Sequence, residues 1–557
     1  MSVKHAIENH EFVQSTIREY IRNNQSFFIL AGAGAGKTKS LVDTLADIKK
    51  TYKKSYLPKG QRVAVITYTE NAAEEIKQRV GKDSLFRIST IHSFAWEIIS
   101  KYKRELLVWV KKNKKEYSNV KKVEYTLQKS TEFVYRLKHN EVISIFSEML
   151  KKYDLLKETL TTEYPLILVD EYQDTDKKVI DILLELKDFN ANFTLGFFGD
   201  SMQRIYSSGY SFLEEKLIEN NFKETKKEWN WRSTHEIVDF INKVRSISTD
   251  PTQPLRIEAD SFIQKSVQPK GSGRIPQIAI VAEGTDPQLV ENRNMKTLVL
   301  EHRMAAERMG FFNLFVLFNK NISKKDSFKE GTVIELKCLK APSLELYDAS
   351  RNIHSKLHLM KYMREYNYHF QENTKNGEEI QDKLMKLSES YREILSYFEK
   401  SSEVSLKEFS QKIQESELFY ITHEIDFADD FWKEIGQIKL QEILAYFFYQ
   451  EDMEFDTQHG SKGLEYDKVQ VILSQIEAIG KNHNFNQLLR IQPLSETIKI
   501  NYGLKKDTTL SRTQKLFYVA VSRARKELRI VWYVPKEQIQ DAKENIKLLF
   551  EDACIIE

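Results

Sequence analysis

The 557-residue chain is poor in the residues that mark secreted proteins and flexible linkers. Its 2 cysteines, Cys338 and Cys554, lie far apart in the sequence, so we expect neither a disulfide framework nor a zinc site, and a reducing cytoplasm is the predicted compartment. Glycine (19) and proline (10) are sparse, and the chain contains no internal repeat or low-complexity linker.

Long apolar runs and a charge excess are also missing. No apolar run approaches the length of a membrane span, and the first residues lack the apolar core of a signal peptide, so we expect no membrane partner. The net charge of +3, from 84 basic and 81 acidic residues, excludes a polycation and limits any nucleic-acid surface to a local patch. With 41% hydrophobic and 30% charged residues, the composition is typical of a globular protein with about three to four domain-sized units.

What the chain does contain is a glycine-rich loop directly after an apolar run. Phe27–Leu30 is followed by Ala31-Gly-Ala-Gly-Ala-Gly-Lys37-Thr38. Glycines allow successive backbone N–H groups to turn inward around a triphosphate, while Lys37 reaches the β- and γ-phosphates and the Thr38 hydroxyl holds Mg²⁺. The backbone of this predicted phosphate cradle is that of Ala33, Gly34, Ala35 and Gly36.

A pair of acids follows a second apolar run. Tyr164–Val169 leads directly into Asp170 and Glu171. At the carboxyl end of a strand in a phosphate-loop protein, two adjacent acids divide the work: Asp170 completes the Mg²⁺ shell, and Glu171 orients and deprotonates the attacking water. The sequence therefore predicts ATP hydrolysis with Mg²⁺ as cofactor.

A basic stretch between these motifs has two interpretations. Residues 101–122 hold nine lysines and arginines against only Glu105 and Glu116, with Trp109 and Tyr117 interleaved. Basic side chains with aromatics suit a phosphate backbone with stacked bases. The alternative is a solvated helix face, which the charge run by itself favours.

An ordered set of motifs resembles the UvrD/Rep/PcrA-type superfamily 1 DNA helicases. Besides the loop and the acid pair, the matching segments are Ala64–Glu75, Thr90–Phe94, Phe198–Tyr206, Asn230–Ser233, Thr457–Tyr466 and Leu516–Ala524. Compact members with shortened insertions, which this chain resembles, stand beside OLD-family nucleases in anti-phage systems of the Gabija type.

The resemblance implies catalytic roles for three further residues. Arg232 and Arg523 would stabilise the charge that develops on the γ-phosphoryl oxygens, and Gln203 would sense the phosphate. Because the two arginines belong to separate α/β halves, ATP in the cleft between them is expected to draw the halves together.

Adenosine contacts are implied as well. Trp231 takes the place of an aromatic that stacks on adenine, and Glu465 would accept hydrogen bonds from the ribose hydroxyls. Gln14 would read the adenine edge, at a spacing from the loop slightly longer than expected.

On the DNA side, Tyr68 and Tyr206 stand where the family stacks the bases of a single strand. The alternative for Tyr68 is a core aromatic at the end of a strand. Contacts with phosphates and sugars, without sequence preference, are implied for Thr67, Thr69, His92, Ser93, Thr457 and His459.

One departure from the family follows Tyr206. The family has a second base-stacking aromatic in this segment, and here only Tyr210 could replace it. With one stacking platform lost, strong unwinding is in doubt.

Strand-like runs separated by helical patterns predict an α/β fold with two RecA-like parallel-sheet domains, each carrying a mainly helical insertion. The runs lie at 62–67, 165–169 and 192–198 in the first half, and at 275–281, 296–300, 468–473 and 528–532 in the second. The predicted domains are 1–95 with 161–245, the basic insertion 96–160, 246–329 with 453–557, and the shortened insertion 330–452.

The leading hypothesis is an ATP-dependent translocase or helicase on single-stranded or tailed duplex DNA, with 3′-to-5′ polarity implied by the resemblance and a role in phage defence or DNA repair. The alternative is a DNA-sensing ATPase subunit that regulates a partner nuclease of the OLD family and unwinds little itself. A phosphate-loop kinase would leave Arg523 and the segment Thr457–Tyr466 unexplained. Roughly thirty residues follow the last motif, so we expect no appended nuclease domain.

Overall fold

A computed structural model describes residues 2–126, 130–206, 208–259, 262–351, 377–416, 418–419, 422–452, 454–477, 480, 482–551 and 555–556. Cys554 lies outside these ranges. Within them, no helix is both long and apolar enough to cross a bilayer.

The strands, in chain order, are β1 (Phe27–Ala31), β2 (Val63–Thr67), β3 (Phe86–Thr90), β4 (Lys122–Glu124), β5 (Val134–Arg136), β6 (Leu166–Asp170), β7 (Thr194–Gly199), β8 (Lys223–Lys227), β9 (Trp229–Asn230), β10 (Lys265–Ser266), β11 (Gln277–Ala282), β12 (Lys296–Val299), β13 (Phe455–Thr457), β14 (Tyr466–Ser474), β15 (Ala524–Val534) and β16 (Ile555–Ile556).

The α-helices are α1 (Ser2–Arg22), α2 (Lys37–Tyr56), α3 (Glu70–Val80), α4 (Ile91–Ile99), α5 (Lys103–Asn113), α6 (His139–Lys152), α7 (Asp154–Glu163), α8 (Lys177–Phe189), α9 (Leu213–Glu219), α10 (His235–Arg245), α11 (Pro287–Val290), α12 (His302–Met309), α13 (Phe312–Lys320), α14 (Lys325–Lys329), α15 (Ile334–Arg351), α16 (Gly377–Glu399), α17 (Leu406–Glu415), α18 (Asp430–Ile435), α19 (Leu440–Asp452), α20 (Phe485–Leu488), α21 (Glu496–Gly503), α22 (Thr509–Val521) and α23 (Ile539–Phe550).

The first sheet is parallel, with strand order β3-β2-β6-β7-β1-β8. β1, β2 and β6 are buried along their whole length, as expected for parallel strands covered by helices on both faces. Leu45 of α2 belongs to the core on one face, and Phe146 of α6 belongs to the core on the other. Because the carboxyl ends of parallel strands meet at one edge, the loop after β1 and the acids at the end of β6 lie side by side.

The second sheet is also parallel, with order β13-β12-β14-β15-β11-β16. The segment Thr457–Tyr466 links β13 to β14, and Arg523 immediately precedes β15. The predicted α/β fold with two RecA-like parallel sheets is confirmed.

Each half carries additional elements between its strands. Between β3 and β6 lie α4 to α7, together with the parallel pair β4–β5, which the sequence did not predict because each strand is only 3 residues long. Between β12 and β13 lie α12 to α19, which pack around two apolar clusters that include Phe328 and Phe409. The domain boundaries given above stay a prediction.

Gly196 tests how tightly the first sheet is packed. A Cβ at this position in β7 would lie 2.6 Å from both Leu168 Cδ2 and Phe27 Cζ. We expect Gly196→Ala to destabilise the fold by about 1–3 kcal/mol, the usual cost of overpacking, and to lower the urea midpoint. Gly503→Ala is the matched control, since no atom lies within 4 Å of its added Cβ. Equal midpoints for the two variants would contradict the packing argument.

Candidate nucleotide and nucleic-acid site

The glycine-rich loop has the conformation of a phosphate cradle. Gly34 and Gly36 have φ angles of +72° and +74°, and Gly36 caps the N-terminus of α2 in the left-handed region. A Cβ on Gly34 would lie 2.7 Å from Asn230 Oδ1, so a larger residue would not fit. The positive end of the α2 dipole and the loop N–H groups suit an anion. Lys37 and Thr38 form the first turn of α2.

Lys37 lies between the two acids. Its ammonium group pairs with Glu171 and is 3.9 Å from Asp170 Oδ1. Burial alone would lower the pKa of Lys37, but the two carboxylates outweigh it and raise the pKa. Burial raises the pKa of Asp170, which sits at the carboxyl end of β6. For Glu171, burial is outweighed by Lys37 and Lys462, which lower its pKa and hold it ionised.

The backbone at Glu171 is strained. This residue has a φ of +53°, which is uncommon for a residue with a side chain and clusters at functional sites. Its carboxylate also accepts a hydrogen bond from the buried amide of Gln173. Glu171 is therefore held in place from both sides.

The peptide of Ala33 is fixed by three side chains. Its N–H donates to Tyr518 Oη (3.2 Å), and its carbonyl accepts from Asn230 Nδ2 (2.8 Å) and Gln264 Nε2 (2.9 Å). Since Tyr518 lies on α22 in the second half, it joins the two halves at the loop. The Ala33 N–H, predicted to face phosphate, is already bonded in this arrangement.

Asp200 is the hub of a buried polar network. Its carboxylate accepts from Arg245 Nη1 (2.9 Å), Tyr518 Oη (3.1 Å) and Gln203 Nε2 (3.2 Å). Gln203, the predicted phosphate sensor, is thus connected through Asp200 to the tyrosine that holds the loop. Burial is the main reason that the pKa of Tyr518 is raised, so the hydroxyl stays a donor.

The two predicted catalytic arginines lie together at the junction of the halves. Arg232 donates to Glu465 Oε2 (2.6 Å) and to the Ser522 carbonyl (3.1 Å). Arg523 is buried and bonds to the carbonyls of Val519 (2.9 Å) and Leu464 (3.1 Å). Burial, with the adjacent Arg232 charge, lowers the pKa of Arg523 to about 9. Both guanidinium groups are therefore bonded to protein partners in this arrangement.

Lys462 crosses from the second half to the first. Its ammonium group pairs with buried Asp174 and donates to the Gln203 carbonyl (2.6 Å). It also lies 5.9 Å from the ring centroid of Tyr206. Lys462 therefore contacts the segments of both the predicted phosphate sensor and a predicted base-stacking residue.

Tyr68 and Tyr206 stack on each other. Their ring centroids are 4.9 Å apart with an interplanar angle of 24°. Tyr68 is 37% exposed, so it is a surface aromatic rather than a core one. The hydroxyl of Thr67 donates to the Thr69 carbonyl (2.9 Å), and that of Thr69 caps α3. These residues form one platform at the carboxyl edge of the first sheet.

The other predicted DNA contacts lie at the start of α4, at the end of β13 and in the turn after it. His92 faces His139, with ring centroids 4.8 Å apart, and His459 faces His483 at 5.1 Å. Burial lowers the pKa of both His92 and His459, which favours neutral imidazoles near neutral pH. The hydroxyls of the other two residues are bonded within the protein. Ser93 Oγ donates to Glu70 Oε1 (3.2 Å), and Thr457 Oγ1 accepts from the Gly460 N–H (2.9 Å).

The predicted adenosine contacts differ in their surroundings. The backbone N–H of Trp231 donates to the Gly34 carbonyl (2.9 Å), which places the residue beside the loop, and Trp231 is 41% exposed. Gln14 is buried, and its amide bonds to the Ser40 carbonyl (3.3 Å) and to Thr44 Oγ1 (3.3 Å). Its side chain is committed to packing α1 on α2 in this arrangement.

Several residues of the site were not selected from the sequence. Tyr518 and Lys462 belong to matched motifs, so the motifs were the available signal, but Gln264 lies in no motif. Lys227 ends the strand β8, whose sequence KETKK suggests an exposed edge, yet this residue is buried beside the loop. Its Nζ donates to Ser40 Oγ (2.6 Å), and burial lowers its pKa to about 8.

Comparison with known proteins agrees with this geometry. A family model described as an AAA domain matches residues 14–209. The ATP-dependent DNA helicase Rep of Buchnera aphidicola subsp. Schizaphis graminum is 30% identical over 284 residues, which cover 40% of this chain and 42% of Rep. These similarities support a nucleotide-binding ATPase that resembles the UvrD/Rep-type helicases, as the motifs indicate.

The chain is also similar to a particular protein over nearly its whole length. Gabija protein GajB of Bacillus cereus strain HuB5-5 is 25% identical, with 95% of this chain and 96% of GajB aligned. Among solved structures, the Pif1 helicase from Candida albicans aligns with 16% identity and a TM-score of 0.26 over 54% of this chain and 53% of its own, a likeness too distant to carry weight.

Removing the Tyr518 hydroxyl tests the connection between the loop and the second half. Tyr518→Phe leaves the Ala33 N–H buried without its acceptor, at a cost of about 1–3 kcal/mol, and frees the loop. Because a phosphate oxygen can accept from this N–H in the complex, we expect a fluorescent ATP analogue to bind about fivefold tighter or more. Tyr446→Phe is the matched control, because that hydroxyl bonds to the Phe328 carbonyl (2.7 Å) in the helical insertion. If both variants bind the analogue like the wild type, Tyr518 does not position the loop.

Proposed function

We propose that this protein hydrolyses ATP to move along single-stranded DNA in the 3′-to-5′ direction and can displace a paired strand. The observation that carries the proposal is Lys462, which contacts the acid cluster at Asp174, the Gln203 backbone and the Tyr206 ring. Lys462 belongs to the second half and contacts both the predicted nucleotide site and the Tyr68–Tyr206 platform. A nucleotide-driven movement of the second half would therefore act directly on that platform.

The donor set fits a nucleoside triphosphate with Mg²⁺. The loop is a cradle that a Cβ on Gly34 would fill, and Lys37 supplies its cation. The Thr38 hydroxyl and the Asp170 carboxylate are the hard oxygen ligands that Mg²⁺ prefers. Bound there, MgATP supplies the γ-phosphoryl group and the neutralising charge of the metal ion.

The protein's own residues then have distinct tasks. The Lys37 ammonium group exchanges its ion pair with Glu171 for one with the phosphate. This exchange releases the Glu171 carboxylate to accept a proton from water. Arg232 exchanges Glu465 in the same way, and Arg523 approaches from the second half to stabilise the transition-state charge. Each exchange replaces an internal ion pair or hydrogen bond with one to nucleotide.

A second candidate is a DNA-sensing ATPase that regulates a partner nuclease, here of the OLD family, and unwinds little itself. Tyr210 favours it: its hydroxyl bonds to Asp181 and Lys216, and its ring lies under Lys177 (4.8 Å) and Lys216 (4.3 Å). A ring committed in this way is a poor second platform for bases. The similarity to GajB supports a role for either candidate in phage defence.

Substitutions in the acid cluster test the assignment of the base. We expect Glu171→Gln to lower ATP turnover by about two orders of magnitude or more while nucleotide binding is retained, since the amide cannot accept the proton. Lys37→Ala should abolish both ATP turnover and nucleotide binding, because it removes the cationic side chain that contacts the phosphates. Turnover is measured by phosphate release and binding by a fluorescent analogue. Normal turnover in Glu171→Gln would assign the base elsewhere.

A strand-displacement assay separates the two candidates. Duplexes with a 3′ tail, with a 5′ tail and with blunt ends are incubated with ATP, and Glu171→Gln is the inactive control. We expect displacement of the 3′-tailed duplex alone. ATP hydrolysis stimulated by single strands without displacement would reject the helicase and leave the sensor, whereas displacement of only the 5′-tailed duplex would reverse the polarity.

A further inference from the structure

A groove on the segment between β3 and β6 is not used by the proposed function. It lies between α4 and α5 on one side and β4 on the other, with a volume of about 610 Å³. Its lining combines aromatic and apolar side chains with basic ones, namely Trp96, Leu107 and Tyr125 with Lys103, Lys121 and Lys122. Part of the basic stretch 101–122, for which the sequence allowed two interpretations, therefore lines this groove.

A row of rings joins this groove to a predicted DNA contact. His92 lies 4.8 Å from His139, His139 lies 5.5 Å from Tyr125, and Tyr125 lies 5.9 Å from Trp96, measured between ring centroids. His92 and Trp96 are four residues apart on α4, so they share one face of that helix. The row therefore runs without a gap from His92, a predicted DNA contact, into the groove.

The charges of the groove favour an anionic ligand. Lys103 and Lys121 are exposed at its rim. Its acidic lining residue, Glu124, is paired with both Lys122 (2.6 Å) and Arg136 (3.4 Å). Since this acid is neutralised twice, the rim lysines give the groove a positive surplus.

We propose that the groove binds single-stranded DNA that continues past His92. The rings of Trp96 and Tyr125 offer surfaces to unpaired bases, and Lys103 and Lys121 contact phosphates. A paired duplex would leave the rings without bases to stack on, which is why a single strand is the better ligand. This inference rests on the proposed function, because it extends the same strand path.

The length dependence of DNA affinity tests the groove. Labelled oligothymidylates of about 6 and about 16 nucleotides, spanning the range of single-strand site sizes, are titrated by fluorescence anisotropy. We expect Lys103→Gln/Lys121→Gln to weaken the long oligonucleotide about tenfold and leave the short one unchanged. The slope of log affinity against log salt should fall by roughly 1.4, or about 0.7 for each lost phosphate contact. Both lysines are exposed, so the fold should persist.

Two matched sets of variants separate stacking from general effects. Tyr125→Leu should weaken the long oligonucleotide about fivefold or more, whereas Tyr125→Phe, which keeps the ring and loses only the bond to His139, should not. Lys54→Gln/Lys59→Gln removes two exposed lysines at the opposite edge of the first sheet and should bind like the wild type.

The outcomes distinguish the groove from the wider proposal. The wild type is expected to bind the long oligonucleotide more tightly than the short one. If the Lys103/Lys121 variant keeps the same difference, the groove is not part of the DNA path and the proposed function stands. An equal loss of affinity for both lengths also rejects the inference. If the wild type binds neither oligonucleotide and its ATP hydrolysis is not stimulated by them, both proposals are wrong.

Discussion

The Ala33 peptide is the point at which the phosphate loop, the first half and the second half are joined. A loop rich in glycine has little conformational preference of its own, so its shape must be imposed by its neighbours. Here the neighbours are Asn230, Gln264 and Tyr518. Because Tyr518 lies on the helix that leads to Arg523, this hydrogen bond connects the loop to the segment that carries the second of the two predicted catalytic arginines.

The buried charges around this joint explain how the site can switch. Lys37 with Glu171, Lys462 with Asp174 and Arg245 with Asp200 are ion pairs largely withdrawn from water. Such pairs are costly to break singly, since each leaves an unpaired buried charge. A triphosphate offers replacement partners, so exchanging pairs is far cheaper than breaking them. In the proposed function, nucleotide would therefore favour a second arrangement of these charges.

The sequence predicted the parts of the fold that depend on local patterns. The runs at 62–67 and 165–169 match β2 and β6 within one residue at each end, because buried parallel strands are apolar throughout. The glycine-rich loop and the Asp170–Glu171 pair were also predicted from their local sequence motifs. Gln264 could not be found this way, since its bond to Ala33 spans 231 residues and an isolated glutamine carries no signal. The burial of Lys227 could not be predicted either, because its environment is determined by the tertiary fold and not by the charged strand around it.

The predicted DNA contacts divide unequally between the halves. Glu70 accepts hydrogen bonds from both Thr90 (2.9 Å) and Ser93 (3.2 Å), so one carboxylate fixes the start of α4 to the start of α3. The Tyr68 platform and His92 therefore belong to one rigid surface of the first half. The second half contributes the segment Thr457–Tyr466, whose Lys462 pairs with Asp174, three residues after Glu171. If the halves shift as nucleotide partners are exchanged, a strand bound as proposed would contact a fixed surface on one side and a moving segment on the other.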